Sequence, residues 1–390
     1  MLGLCPNGLG VIRSLGRKGI PVVGIDYRYP LPGFFSRYTK SYVCPNPYRS
    51  PGLLIDFLFD LARKDTQKGV LFPTSDEFVL FISRHRKTLS EQFLFALPEE
   101  DIVESLLNKR WQYTKAEETS TPYPQTYYPA NMKDVDEIKY LIEYPVIIKP
   151  CYTYLWKDKS FKVKGYLAHN PNDLVQVFER IIPTGVDVIV QAVIPGEVTE
   201  LYEVCCYMNF HHEPMGLFIK QKIRQYPLDM GLGSFMKSVW NDQLAKSAIR
   251  MLSGIGYRGI GEIEFKRDPR DGIFKLIEIN SRITLQNSLA DHCGISFPLI
   301  QYKDLTGDNF DVPSDYKKNA SWVWAEIDYE SYKELRRSKN TVHLSTLKWF
   351  YSVLTSDSHA VFAWDDIRPV LSFFKGLVSR RLSCIIRNSD

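Results

Sequence analysis

Apolar and polar positions in the first hundred residues alternate between short apolar runs and helix-like periodicity. Residues 21–26 (PVVGID) and 70–73 (VLFP) are short apolar runs, which are typical of buried parallel strands. Residues 53–63 and 76–89 have the spacing of amphipathic helices, and a further strand is predicted at 94–97. The pattern predicts an α/β domain with a parallel sheet over residues 1–104.

A polar run, Thr74-Ser75-Asp76-Glu77, follows the second of these strands. It lies at the predicted C-terminal edge of the sheet, where open α/β sheets bind ligands, so it can contact a substrate. Thr74 or Ser75 can equally cap the next helix. The sequence leaves both interpretations open.

The strongest pattern in the chain is a β-hairpin. Two runs with strand alternation, IGEIEFK from residue 260 and FKLIEIN from residue 274, flank the turn-forming sequence DPRDG. Side chains alternate between the two faces of a strand, so Glu262 and Glu264 share a face. A five-residue turn predicts that Glu278 lies opposite Glu262, with Glu264 diagonal to it within roughly 7–8 Å.

Carboxylates this close repel one another and need cations. Oxygen ligands without His or Cys suit Mg²⁺, which proteins hold through one or two carboxylates plus substrate phosphates. Asn280 and Arg282 continue the face of Glu278, and a guanidinium there can bind phosphate. A solvated hairpin surface is the simpler interpretation, but the Glu-x-Asn-x-Arg series favours a metal and phosphate site.

The stretch from Gly259 to Arg282 resembles the metal-binding end of the ATP-grasp superfamily, in particular the carboxylate–amine ligase branch that includes D-aspartate ligase. The resemblance implies that Glu264, Glu278 and Asn280 bind Mg²⁺, for which Mn²⁺ can substitute. It implies that Arg282 contacts the transferring phosphate or the oxyanion. The implied fold is α/β and α+β: a Rossmann-like pre-ATP-grasp domain (1–104), a small ATP-grasp subdomain (105–195), a large subdomain with the metal site (196–311) and a C-terminal extension of unknown role (312–390).

The same resemblance implies a set of nucleotide contacts. Those residues are Lys109, Lys149, Gln191, Ala192, Ile194 and either Glu197 or Glu200, with the last two as alternatives for the ribose. Lys149 also has support from the sequence, because it ends the apolar strand YPVIIKP, where an ammonium group needs an anion or a dipole. Residues 151–164 occupy the position of the loop that closes over the phosphates.

Two further segments carry candidate chemistry. Lys222 and Arg224 are expected to share a strand face and to neutralise phosphate together. After the hairpin, Gln286 and Asn287 are expected to face the acceptor substrate. The segment with Lys222 and Arg224, together with the loop at 229–234, resembles the ligase branch.

Composition excludes several other classes. A net charge of +4 over 390 residues, without a Lys/Arg stripe among aromatics, argues against nucleic-acid binding. Seven cysteines without CxxC spacing, no signal pattern and no bilayer-length apolar run predict reduced thiols and a cytoplasmic protein. The apolar and basic residues at 367–387 are expected to cover a groove on the same chain, in preference to peripheral membrane contact. A homodimer is a further expectation.

The predicted function is ATP-dependent amide formation between a carboxylate and an amine, through an acyl phosphate, with an amino acid as one substrate. The alternatives are other ATP-grasp chemistry (a carboxylase, a thiol ligase or a kinase) and a non-catalytic nucleotide-binding regulator.

Overall fold

The structure, a computed structural model, describes residues 1–63, 66–152, 165–337 and 344–372. The fold is mixed α/β. Most of the loop predicted to close over phosphates (153–164) and most of the apolar and basic tail (373–390) lie outside the described residues. Among the described residues, no helix has both the length and the apolar character needed to cross a bilayer.

The N-terminal region is a parallel α/β unit, as the sequence predicts. Its strands are β1 (Val23–Asp26), β2 (Lys40–Val43), β3 (Gly69–Val70) and β4 (Phe93–Leu94). Its helices are α1 (Pro6–Gly16), α2 (Pro51–Ala62), α3 (Asp76–Arg84), α4 (Arg86–Leu89) and α5 (Glu100–Leu106), with a 3-10 turn at Pro32–Phe35. Strands β1 and β2 pair in parallel, as do β3 and β4, and Leu2 joins the two pairs by bridging Ile25 and Pro73.

The second region contains the small sheet, whose pairings are all antiparallel in the order β5-β8-β6-β7. Its strands are β5 (Thr126–Tyr127), β6 (Val146–Pro150), β7 (Tyr166–Ala168) and β8 (Val188–Ala192). The helices of this region are α6 (Lys109–Glu118), α7 (Met132–Ile138) and α8 (Pro171–Ile181), and α8 continues into a 3-10 turn at Ile182–Thr184. The apolar faces of α7 and α8 pack on the sheet.

The large sheet has the order β13-β12-β9-β10-β11-β14-β15. Its strands are β9 (Leu201–Met208), β10 (Pro214–Tyr226), β11 (Leu232–Val239), β12 (Gly259–Arg267), β13 (Phe274–Asn280), β14 (Ser321–Val323) and β15 (Ser358–His359). The helices are α9 (Asp242–Gly254), α10 (Asn287–His292), α11 (Phe297–Thr306), α12 (Ala325–Arg337) and α13 (Thr346–Leu354), with a 3-10 turn at Val198–Glu200. Because β14 and β15 belong to it, the sheet continues across the predicted boundary at residue 311.

The two faces of the large sheet have different partners. One face is apolar and packs on α9, where Val204 and Ile263 meet Leu244 and Met251. The opposite face is apolar only at one end, where Tyr207 and other side chains contact the N-terminal region. The rest of that face carries charged side chains, and the candidate site lies there.

The predicted hairpin is present as β12 and β13, but its predicted register was wrong. Glu264 lies directly opposite Glu278, and Glu262 lies opposite Asn280. The connection spans residues 268–273, and a β-bulge between Glu264 and Phe265 shifts the register by one more residue. The correction places the two predicted metal-binding carboxylates side by side.

Candidate active site

Charged residues of β9, β10, β12 and β13 line one face of the large sheet, because directly paired residues share a face. We call this surface the polar face. Its members are Glu203, Lys220, Lys222, Glu262, Glu264 and Glu278. Glu278 belongs to an outer cluster, and Glu203, Lys220 and Glu262 belong to an inner cluster. Lys222 and Glu264 lie between the two clusters.

The outer cluster consists of Lys109, Lys149, Gln191 and Glu278, and it joins the small sheet to the hairpin. Lys109 Nζ donates to Glu278 Oε1 at 2.7 Å. The side chain of Asn108 caps α6 and so sets where the helix begins, which makes Lys109 its first residue. On the neighbouring strands of the small sheet, Lys149 Nζ donates to Gln191 Oε1 at 3.4 Å. The structure therefore brings together four residues that were predicted separately.

The Glu278 carboxyl stays ionised in this setting. Burial alone would raise its pKa, but the Lys109 ammonium, helped by Lys149 and Arg282, lowers the pKa to about 2. Its side chain is 40% exposed. A cation that arrives from solvent can therefore reach the carboxylate.

Lys222 lies on the polar face as predicted, between the two clusters. Its Nζ donates to Glu264 Oε1 at 3.3 Å and is 3.8 Å from Glu203 Oε1. Burial acts to lower the pKa of Lys222, yet Glu264 and Glu203 hold it above its ordinary value. The ammonium group is therefore charged beside the predicted metal ligand Glu264.

Arg224 does not join Lys222, so the predicted Lys-x-Arg pair was wrong. The ladder between β10 and β11 shifts register on both sides of Arg224. Its guanidinium binds Asp328 of α12 through Nε and through a terminal nitrogen, at 2.9 and 2.7 Å, and it lies over the ring of Phe235. Arg224 therefore anchors the C-terminal extension to the sheet.

The inner cluster surrounds Lys220 and includes Glu203, Glu262, Thr284 and Gln286. Lys220 has no exposed surface, and its Nζ donates to Glu262 Oε2 at 2.7 Å and lies 3.0 Å from Glu203 Oε2. It also donates to Gln286 Oε1 at 3.0 Å, while the Thr284 hydroxyl donates to Glu262 at 2.6 Å. The ammonium group thus ties two carboxylates to the segment that follows the hairpin.

Sequence analysis missed Lys220 and Glu203. A signal was present, because Lys220 and Lys222 are two residues apart on one strand and must share a face. Glu203 likewise interrupts an otherwise apolar and aromatic strand, LYEVCCYM. What the sequence could not give was the pairing of these strands, which sets Glu203 beside both Lys220 and Glu264.

The hinge that follows β8 lies beside the hairpin. Ala192 and Ile194 are buried, and Lys266 Nζ of β12 donates to the carbonyl oxygens of Ile194 and Gly196. Burial lowers the pKa of Lys266 against the opposing effect of Glu200 and Glu197. Both acids thus lie close to Lys266, and the choice between them for the ribose stays open.

Arg282 contacts the N-terminal region. Its Nε donates to Asp76 Oδ1 at 2.7 Å. A cavity of about 190 Å³ lies at this junction, lined by Asn7, Thr74, Ser75, Asp76, Glu77 and Arg282. All six lining side chains are polar, so the cavity suits a small polar molecule.

The structure decides the role of the Thr74–Glu77 run in part. Ser75 precedes α3, but no side-chain hydrogen bond caps that helix, so the capping interpretation was wrong. The Thr74 hydroxyl instead donates to the carbonyls of Leu2 and Gly3. The buried Ser75 hydroxyl has no partner among the described residues. The substrate interpretation stays a prediction.

Gln286 and Asn287 were expected to face the acceptor substrate, but they do not line this cavity. Both are buried, and Gln286 accepts from Lys220. Asn287 Nδ2 donates to the carbonyls of Asn7 and Thr284. These amides hold the segment after the hairpin against the sheet and against α1.

Comparisons with known proteins show similarity in sequence over most of the chain. Residues 233–304, which include the whole hairpin, match the family model described as the ATP binding domain of the carbamoyl-phosphate synthase L chain. D-Aspartate ligase of Enterococcus faecium is 26% identical over 330 residues, a match that covers 80% of this chain and 78% of that protein.

Solved structures show similarity in fold. N5-carboxyaminoimidazole synthetase of Staphylococcus aureus matches with a TM-score of 0.63 and 13% identity, over 87% of this chain and 85% of the other. The biotin carboxylase domain of Hydrogenobacter thermophilus 2-oxoglutarate carboxylase, solved with MgADP and bicarbonate, matches with a TM-score of 0.62 and 16% identity, over 82% and 72%.

Proposed function

We propose that this chain, which resembles the ATP-grasp ligases in sequence and in fold, is an ATP-dependent carboxylate–amine ligase. A substrate carboxylate oxygen attacks the γ-phosphorus of ATP and ADP leaves. The amine nitrogen then attacks the acyl carbon of the resulting acyl phosphate, phosphate leaves and the nitrogen gives up a proton. The observation that carries the proposal is the direct pairing of Glu264 with Glu278, with a lysine bound to each.

The cofactors are ATP and Mg²⁺. Glu264, Glu278 and Asn280 would hold the metal, which neutralises charge on the phosphates when bound. Among the described residues, no group of three or more His, Cys, Asp or Glu side chains is arranged for a metal ion. Two carboxylates and an amide nevertheless fit Mg²⁺, because this ion takes its other ligands from water and phosphate oxygens.

ATP would lie between the small and large sheets. Lys109 would bind its phosphates once Mg²⁺ takes over the carboxylate partner of this lysine, Glu278, and Lys149 would bind them from the neighbouring strand. Gln191 and the backbone of Ala192 and Ile194 would contact adenine, and Glu197 or Glu200 the ribose. This placement follows the proposed division into domains at 1–104, 105–195, 196–311 and 312–390.

Lys222 and Arg282 would stabilise the charge that develops during phosphoryl transfer. Arg224 has no part in this step, because Asp328 holds its guanidinium. The chemistry of the chain's own residues is thus charge stabilisation and orientation.

The acceptor substrate would occupy the cavity beside Arg282. Its lining carries both signs of charge: the Arg282 guanidinium, which is paired with Asp76, and the carboxylate of Glu77. A molecule with both a carboxylate and an ammonium group can pair with both charges, which supports an amino acid. The reacting carboxylate would face Arg282, toward the metal ligands.

The test is ADP release from MgATP against a panel of amino acids, singly and in pairs, in both enantiomers. We expect one pair to give equal amounts of ADP and phosphate, and Glu278→Ala to lower the rate about a thousandfold because a metal ligand is lost. Glu213→Ala, an exposed carboxylate on the turn between β9 and β10, is the matched control and should keep the wild-type rate. ATP binding without ADP release for any pair would favour the regulatory alternative, and ADP release that needs no amine would favour a kinase.

A further inference from the structure

One ion pair joins the N-terminal region to the catalytic end of the hairpin. Arg282 Nε donates to Asp76 Oδ1 at 2.7 Å, across a sequence separation of 206 residues. Asp76 is the first residue of α3, and Arg282 follows β13 by two positions. The two residues belong to different sheet regions, so this contact depends on how those regions pack.

The atom used in this contact matters. A guanidinium is planar and carries five N–H donors in a fixed fork, so a bond through Nε sets the plane of the group. Over residues 1–63, 66–152, 165–337 and 344–372, Asp76 is the one acceptor that Arg282 binds. The terminal nitrogens are then left for a ligand.

Arg282 also interacts electrostatically with the polar face of the large sheet. Burial would lower the pKa of Arg282, but Asp76 first, and then Glu262 and Glu278, raise it above its ordinary value. The guanidinium is thus charged and within electrostatic reach of a predicted metal ligand. Arg282 lines the acceptor cavity and follows the predicted metal ligand Asn280 by two positions, so its terminal nitrogens would reach a phosphate transferred there.

Asp76 is well suited to hold a guanidinium in one orientation. A carboxylate in the first turn of a helix is stabilised by the helix dipole. The neighbouring Glu77 cannot take over this role, because it accepts a hydrogen bond from the Tyr27 hydroxyl at 2.7 Å. Of the two acidic residues that begin α3, Asp76 is therefore the one that binds Arg282, although its side chain is 53% exposed.

We propose that Asp76 is a positioning residue, which orients Arg282 through Nε so that its terminal nitrogens meet the transferring phosphate. The N-terminal region then completes the catalytic site as well as the acceptor cavity. This inference rests on the proposed function for the role of Arg282 and assigns a further residue to it.

The test uses binding, so it does not require the substrates. MgADP with aluminium fluoride mimics the transferring phosphoryl group, and the wild type should bind this combination more tightly than MgADP alone. Asp76→Asn should bind MgADP with aluminium fluoride about ten- to a hundredfold more weakly than the wild type, and its affinity for MgADP alone should be unchanged. This range is the one expected for a hydrogen bond to a charged group. Asp76→Glu, which keeps the charge, should recover part of the gain.

Controls separate positioning from stability. Asp101→Asn removes an exposed carboxylate from the first turn of α5 in the same region and should change neither affinity. Arg282→Ala should lose the gain, and Asp76→Asn should have no further effect in that background, because the two residues act as one unit.

Each contrary outcome has a distinct meaning. If Asp76→Asn lowers only the unfolding temperature and keeps the fluoride-dependent gain, the ion pair is structural and the proposal fails while the ligase stands. Additive losses in the double variant also overturn it. If aluminium fluoride does not increase the affinity of the wild type for MgADP, the proposed role of Arg282 is overturned, and the positioning role of Asp76 with it.

Discussion

The outer and inner clusters use the same residue types but differ in their access to water. In the inner cluster, the Lys220 side chain is 0% exposed and its partner Glu262 is 5% exposed. In the outer cluster, Glu278 is 40% exposed and Lys109 is 12% exposed. Both clusters pair an ammonium group with a carboxylate at the same distance, 2.7 Å.

This difference in access indicates different roles. A metal ion can replace a lysine only where it can reach the carboxylate with part of its hydration shell, which holds for Glu278. A buried pair keeps its partner, because separating the charges in a medium of low polarity is costly. The outer cluster is thus suited to exchange its cation during catalysis, and the inner cluster is suited to hold the sheet and the segment carrying Arg282.

Removing the inner ammonium should have the largest effect on stability. Lys220→Met leaves Glu262 and Glu203 buried without their shared cation, and we expect the free energy of unfolding to fall by about 3–5 kcal/mol. Chemical denaturation measures this change. Lys237→Met, on the exposed side of the neighbouring strand β11, is the matched control and should cost less than about 0.5 kcal/mol.

A second change tests the source of that loss. Lys220→Met combined with Glu262→Met and Glu203→Met fills the same space with apolar groups, and it should restore most of the stability. A single Lys220→Met variant as stable as the wild type would remove the distinction between the clusters.

The inner cluster should also give the stability a pH dependence. Burial raises the pKa of Glu203 to about 7, against the opposing effect of Lys220. A carboxyl with a raised pKa stabilises the fold below its unfolded value, near 4.3, and that contribution is lost as the pH rises through about 7. We therefore expect the wild type to lose roughly 3 kcal/mol relative to Glu203→Gln between pH 4.5 and pH 8, at about 1.4 kcal/mol per pKa unit.

Denaturation curves at several pH values measure this effect. Glu213→Gln, which changes an exposed carboxylate, should follow the wild type at every pH. A pH-independent difference between the wild type and Glu203→Gln would mean that Glu203 is ionised throughout the range.

Sequence patterns predicted the polar residues of the hairpin better than the residues that contact them from distant parts of the chain. The hairpin is local: turn residues and strand alternation identify it, and its polar residues carry the family pattern. The register was wrong because the connection is one residue longer than predicted, and because a bulge between Glu264 and Phe265 leaves no mark in hydrophobic alternation. The error did not change which residues share the polar face.

Long-range partners could not be predicted from a single sequence. Arg224 was assigned to phosphate because Lys222 lies two residues before it, but its partner Asp328 is 104 residues away. Asp76 and Arg282 are separated even further, and only the packing of the two regions brings them together. Lys220 had a local signal, yet its burial follows from strand order, which periodicity does not determine.

The smallest expected effect on stability belongs to the outer cluster. A change there should also alter two binding affinities in opposite directions, that for MgADP and that for Mg²⁺ alone. Lys109→Met should lower the free energy of unfolding by only about 1 kcal/mol or less, because the pair is partly solvated. The variant should bind MgADP about tenfold more weakly, since a charged phosphate contact is lost. Mg²⁺ alone should bind more tightly, because the ion no longer competes with the ammonium group for Glu278. Calorimetric titration measures both affinities.

Lys115→Met, on the same helix and paired with Glu118, is the control and should change neither affinity. Weaker binding of both ligands would show that Lys109 supports the metal site and does not compete with the ion, and the outer cluster would then resemble the inner one.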